Sequence, residues 1–270
     1  MRNFEEIEND PKLRSLKIFR IFSVERLFQI MNEKQLVLLS PEKWEDPYEK
    51  PLQKILELRN RDKIFGLCWS LNSHSDALWR IYSPTSQGVK ITTTLGDLVD
   101  SFLVKNADFN KKNLFIGAVT YLPETSHRKT PNAYLGKHAL SLNREHFTSD
   151  IFNMSDAIKD LLDDKNQAVW RTSSEIAKSF YMKRKAFEHE KEIRLIYVDG
   201  QNNSLDAGLY KIAFDPMRLI KSIQFDPRMD DDIFTSLKNG IIAKTGEHKI
   251  SITKSRLYTV PKNILKLIPK

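Results

Sequence analysis

The stretch KAFEHEKEIRLIYVD, Lys185 to Asp199, sets two carboxylates, Glu190 and Glu192, two residues apart just ahead of an apolar run, with Arg194 two residues further on. Side chains of a strand alternate between faces, so the spacing predicts Glu190, Glu192 and Arg194 on one face and Ile193, Leu195 and Tyr197 on the other. Two uses fit that pattern. It is either a cross-strand ion-pair ladder or a pair of carboxylates for acid–base and electrostatic catalysis.

Other chemistries lack their signatures. The single cysteine, Cys68, has no partner for an internal disulfide, and its apolar neighbours predict a buried, inert thiol. His74, His127, His138, His146, His189 and His248 are scattered, without HExxH or a pair at useful helical spacing, so no metal is expected. The nine glycines form neither G-x-x-x-x-G-K-[ST] nor G-x-G-x-x-G, and no G-x-S-x-G elbow is present. Trp79 and Tyr82 are three apart on a predicted helix, where they either pack a core or stack on a base. Asp46 and Glu49, between and beside Trp44 and Tyr48, are either turn residues or pocket lining.

These residues have to be positioned by short elements. LKIFRIF reads as a strand, followed by a helix capped by Ser23 with Val24, Leu27, Phe28, Ile30 and Met31 on one face. KQLVLLS is the next strand, and Pro41 opens a short turn or helix. KIFGLCWSLN is a strand followed by a short helix that Pro84 ends. QGVKITTT is a strand backed by an amphipathic helix with Leu95, Leu98, Val99, Phe102 and Leu103, and NLFIGAVTYL is read as one further strand. Thr172 and Glu175 have capping-box spacing ahead of Ile176 and Phe180. Strands around AGLYKIAFDP, RLIKSIQFDP and HKISITKSRLY follow, with a helix around DDDIFTSLKNGIIA whose three aspartates suit a helix start.

Strands with a few interspersed helices predict an α+β fold with a mostly antiparallel or split central sheet and short flanking helices. With 270 residues and 40% hydrophobic content, a single domain is expected, its core about 17–260, with a helical or loop-rich insertion over about 123–170. The net charge of +8 favours anionic partners, nucleic acid or a nucleotide among them. No run of about 18 apolar residues appears and the N-terminus lacks an apolar leader, so a cytoplasmic protein with no membrane partner is expected.

Three dispersed stretches, KIFRIFSVERLFQIMNEKQLVLLSPEKWEDPYE, CWSLNSHSDALWRIYSPTSQGVKI and KRKAFEHEKEIRLIY, resemble in this order the bacterial family called domain of unknown function 2971. The residues that carry the resemblance are Glu45 to Glu49; Cys68, Trp69 and Ser70; Leu78, Trp79 and Tyr82; and Lys183, Phe187, Glu190, Glu192 and Arg194.

The layout is also similar to the ADP-ribosyltransferase fold, in which a first strand gives Arg or His, a second gives Ser or Tyr, and a late strand gives the catalytic Glu. That resemblance implies NAD as substrate. Glu192 would stabilise the developing ribose cation, Glu190 would deprotonate the acceptor, Arg20 would pair with the anionic part of NAD, and Ser70 would hold the nicotinamide end. Trp79 and Tyr82 would stack on a base, and Asp46, Glu49 and Arg194 would contact substrate. It implies a macromolecular acceptor, nucleic acid or protein, a toxin or anti-phage role, and a neutralising or regulatory protein as partner. The chain departs from the His-Tyr-Glu version at Arg20, and CWSLN is not a full Ser-Thr-Ser motif. Two other functions compete: a non-catalytic nucleic-acid-binding or protein-interaction module, and a magnesium-dependent nuclease built from Asp46, Glu49, Glu190 and Glu192.

Overall fold

The computed structural model describes residues 1–47, 49–50, 63–102, 110–122, 172–199, 208–246 and 250–260; the expected insertion over 123–170 lies outside them. The strands are β1 (Arg2–Asn3), β2 (Lys17–Ser23), β3 (Gln35–Leu39), β4 (Lys63–Ser70), β5 (Gly88–Thr94), β6 (Leu114–Ala118), β7 (Thr120–Leu122), β8 (Met182–Arg184), β9 (Glu192–Asp199), β10 (Leu209–Ala213), β11 (Ser222–Phe225) and β12 (Ser251–Lys254).

Ten of these form one mixed sheet in the order β1-β6-β9-β4-β2-β5-β11-β12, and β3 joins β4 to β10. All its pairings are antiparallel except β11 with β12, so the fold is α+β around a mostly antiparallel sheet. The sheet splits along one edge of β4. That edge meets β2 only at Phe19↔Ser70 and β3 only at Leu39↔Gly66, whereas the other edge pairs with β9 along its whole length from Lys63 to Ser70. A strand whose neighbours diverge opens a crevice at its end, here beside Ser70.

Both faces are covered. One carries a large cluster, including Ile18, Leu67, Trp69, Ile91, Ile193, Leu195 and Tyr197, packed under the helix Val24–Glu33. That helix starts where predicted: Ser23 Oγ accepts from Arg26 N at 3.1 Å, and Val24, Leu27, Ile30 and Met31 are buried. The other face carries a smaller cluster of Trp44, Ile64, Phe115, Ile176, Phe180, Tyr181, Ile196 and Val198. Its helix, Ser173–Ser179, opens with the predicted capping box of Thr172 and Glu175.

Two expectations are corrected. NLFIGAVTYL is not one strand: β6 ends at Ala118, Val119 N donates to Glu192 O at 2.9 Å, and β7 leaves to pair in parallel with β8 as a separate ribbon. Glu190 is not on a strand with Glu192. It ends a 3₁₀ turn, Lys185–Glu190, and Lys191 then takes a left-handed φ of 44° before β9 begins. The bonds that enforce this come from afar: Ser70 Oγ donates to Glu190 O at 2.5 Å, Asn72 Nδ2 to His189 O at 3.1 Å, and Leu71 N to Lys191 O at 2.9 Å.

Candidate active site

Glu192 opens β9 opposite Ser70 of β4, and Arg194 stands opposite Cys68, so the four side chains share one face of the sheet. Backbone bonds fix Glu192 from two sides, since its N–H donates to the Tyr121 hydroxyl at 2.8 Å and its carbonyl accepts from Val119. Its carboxylate is gripped by Arg194 as a fork, Nε to Oε1 and Nη2 to Oε2, both 3.0 Å. Arg194 is itself fully buried. It lies 4.5 Å from the centre of the Trp44 ring, donates to Phe180 O at 2.6 Å, and reaches Glu49 Oε1 at 2.5 Å.

Lys183, from β8, completes the cluster. Its Nζ lies 2.5 Å from Glu190 Oε2 and 3.3 Å from Glu192 Oε2. The turn that removed Glu190 from the strand has thus brought its carboxylate beside that of Glu192 by another route. Tyr82, from the helix Asp76–Tyr82, donates its hydroxyl to Glu190 Oε1 at 3.2 Å. Three carboxylates, Glu49, Glu190 and Glu192, therefore surround two cations, Lys183 and Arg194.

The electrostatics separate the carboxylates. Burial pushes the Glu192 carboxyl up, but the charge and hydrogen bonds of Arg194 and the charge of Lys183 outweigh it and hold the group down at about 2. Burial dominates at Glu49 and lifts it to about 7, against the pull of Arg194 and Lys183. Lys183 is held protonated because Glu192 and Glu190 overcome its desolvation. Burial raises the Cys68 thiol well above its ordinary range, in keeping with an un-ionised donor towards Glu192.

A cleft of roughly 610 Å³, counting its open mouth, lies where β2 leaves β4; its walls include Arg20, Ser70, Tyr82, Lys90, Glu190 and Glu192. Three stretches named from sequence, around Arg20, Ser70 and Glu190–Glu192, thus meet at one place. Ser70 has a defined task there, since its hydroxyl ties down the Glu190 carbonyl and accepts from Asn72 N at 2.9 Å. Arg20 is half-buried, its guanidinium carbon 5.6 Å from the centre of the Phe22 ring, and no described carboxylate pairs with it. Burial lowers its proton affinity to about 10.

The remaining predicted residues stand elsewhere. Trp79 is buried at 2% exposure on the inner side of its helix and does not line the cleft. Asp46 and Glu49 lie behind the wall, Asp46 held by Arg184 through Nε at 3.2 Å and Nη2 at 2.9 Å, and Glu49 by Arg194. Arg194 backs Glu192 and is closed off from the cleft. Sequence reasoning missed the cluster role of Lys183, the backbone prop from Tyr121, and Lys90. Lysines at such positions carry no local signal, because the strand partners that select their face are distant in the chain.

The family model described as "Protein of unknown function (DUF2971)" matches residues 78–195, which takes in Tyr82, Lys90, Lys183, Glu190, Glu192 and Arg194 and leaves Arg20, Asp46 and Ser70 outside. No curated protein matches at a significant level. Among solved structures, the chain is similar to DarT of Thermus sp. 2.9 in complex with ADP-ribosylated ssDNA, at 10% identity and a TM-score of 0.37, covering 90% of this chain and 95% of that one. The same protein in complex with NAD+ matches at 10% identity and a TM-score of 0.34, covering 90% and 96%. Scores this low fix no equivalence between residues.

Proposed function

We propose that the protein is an NAD-dependent ADP-ribosyltransferase that modifies a macromolecule, with nucleic acid the favoured acceptor. The observation that carries this reading is that Arg20, Ser70 and Glu192, from three separate stretches, line one cleft with Glu190. The chemistry follows from charge. As the bond between ribose C1′ and the nicotinamide nitrogen breaks, its electron pair leaves with neutral nicotinamide and positive charge spreads over C1′ and the ring oxygen. Glu192, kept ionised by Arg194 and Lys183, is a fixed anion for that charge and an acceptor for the ribose 2′-hydroxyl. Sharing Arg194 with Glu49 leaves Glu192 less fully neutralised than a private pair would.

Glu190 then takes the proton of the acceptor nucleophile as the new bond to C1′ forms. Tyr82 and Lys183 fix that carboxylate through separate oxygens. Arg20 faces the anionic part of NAD, and Ser70 acts chiefly by holding Glu190 in place.

The magnesium-nuclease reading finds its four carboxylates already engaged: Asp46 with Arg184, Glu49 with Arg194, and Glu190 and Glu192 with Lys183. Incubation with NAD labelled on the adenylate phosphate, together with single-stranded DNA, RNA or protein, tests the proposal. Label should pass to one of them, nucleic acid first, and persist in chelator. Chelator-sensitive strand cleavage without labelling would favour the nuclease instead, and salt-sensitive binding without turnover would favour a non-catalytic module. A toxin or anti-phage role, with a neutralising protein as partner, belongs to the same proposal: expression of wild type should arrest growth and Glu192→Gln should not.

A further inference from the structure

Every cation of the cluster behind the carboxylates has an anionic partner, but the cations lining the cleft do not. Lys90 is the clearer case. It is 7% exposed, its Nζ donates to Ser73 O at 2.6 Å, and it lies 5.5 Å and 6.0 Å from the ring centres of Phe19 and Trp79. A carbonyl and two ring faces orient an ammonium but do not neutralise it, and no described carboxylate pairs with Lys90. A buried charge left this way is costly unless a ligand supplies the counter-charge.

The sheet register says where that charge sits. Thr92, Phe19, Ser70 and Glu192 form a continuous cross-strand row, and Lys90, two residues from Thr92, lies on the same face. By its pleat Arg20 belongs instead to the face of Ile18 and Phe22 and reaches the cleft at its border. At ~4.8 Å per strand spacing and ~3.4 Å per residue, Lys90 and Glu192 stand three strand spacings and two residues, ~16 Å, apart across one cleft. The cleft is therefore polar in one direction, with carboxylates at the β9 end and a lone ammonium at the β5 end.

We propose that Lys90 is a second phosphate-holding residue of this cleft, beside Arg20, and that the ligand class it selects is a diphosphate ester whose reacting carbon lies at the Glu190–Glu192 end. The identity of that ester as NAD rests on the proposed function; the phosphate site itself does not.

The test is thermal melting of wild type and of two variants, Lys90→Met, which fills the space between Phe19 and Trp79, and Lys90→Gln, which keeps a donor for Ser73 O. Each is titrated with inorganic pyrophosphate and with ADP-ribose. Wild type should gain stability with pyrophosphate, and whichever variant folds should bind it ~10- to 100-fold more weakly, the usual worth of one charge-assisted contact. A wild type that pyrophosphate leaves unmoved, or a variant that binds it as well as wild type, overturns the proposal. The two readings fail separately. Pyrophosphate binding that depends on Lys90 in a protein that never cleaves NAD retains the phosphate site and removes the transferase, whereas NAD cleavage with an unchanged KM in the variants does the reverse.

Discussion

Lys183 holds together two carboxylates that would otherwise repel each other, and it does so at 8% exposure. Replacing it with methionine leaves Glu190 and Glu192 adjacent with only Arg194 between two buried anions and Glu49. Lys183→Met should therefore cost ~3–5 kcal/mol of stability, measured by urea unfolding at neutral pH. A loss below about 1 kcal/mol would mean that the cluster is not electrostatically closed.

Glu49 gives a pH signature of opposite kind to that of Glu192. Its folded value of about 7 lies above its ordinary 4.5, so between those values the folded chain binds the extra proton and stability falls as pH rises. Glu192, held at about 2, contributes stability above 4.5 that is lost as pH falls towards 2, so the two windows do not overlap. In urea titrations from pH 5 to 8, Glu49→Gln should flatten the decline that wild type shows. Only part of this was legible in the sequence: the carboxylates were identifiable as candidates and the Glu192–Arg194 pairing follows from their shared strand face, but the contacts of Lys183 and Glu49 emerge only once β8, β9 and the Trp44 turn pack together.

At the scale of elements, β4 carries the design. Its Gly66 has no side chain because Trp44 occupies that space; a Cβ there would come within 2.5 Å of Trp44 Cζ2 and 3.1 Å of Ile196 Cδ1. The tryptophan so seated covers Arg194. Gly66→Ala should cost about 1–3 kcal/mol in thermal or urea unfolding, and it should weaken the hold on Glu192 through the displaced Trp44–Arg194 contact. Most strands and the two capped helices were readable from alternation and cap residues, because their bonds are local or follow the pleat. The turn ending at Glu190 was not. Its residues continue a strand-like pattern into β9, and only the long-range bonds from Ser70 and Asn72 and the left-handed Lys191 break it. The break at Val119 has the same origin, since Glu192 O takes the amide of Val119 and Tyr181 O that of Thr120.

At the scale of the whole molecule, the split of the sheet decides where a ligand fits. Composition and element order support α+β, but the single pairings that β4 makes with β2 and with β3 depend on register, which no local pattern specifies. The net charge of +8 acts over the same scale. Binding to single-stranded nucleic acid should weaken steeply between about 50 and 200 mM salt in a fluorescence titration, with a log–log slope set by the number of phosphates contacted. A salt-independent affinity would argue against nucleic acid as the acceptor.

The most direct measurement is nicotinamide release from NAD by purified wild type and by Glu192→Gln, each shown to be folded by its melting curve, with and without single-stranded DNA or RNA. Wild type should release nicotinamide, faster with the acceptor present, and the variant should lose ~10²-fold or more of the rate, the scale of removing one fixed electrostatic stabiliser. Equal rates in the two proteins, or no release from wild type under any of these conditions, would contradict the assignment of Glu192 as the residue that stabilises the ribose cation.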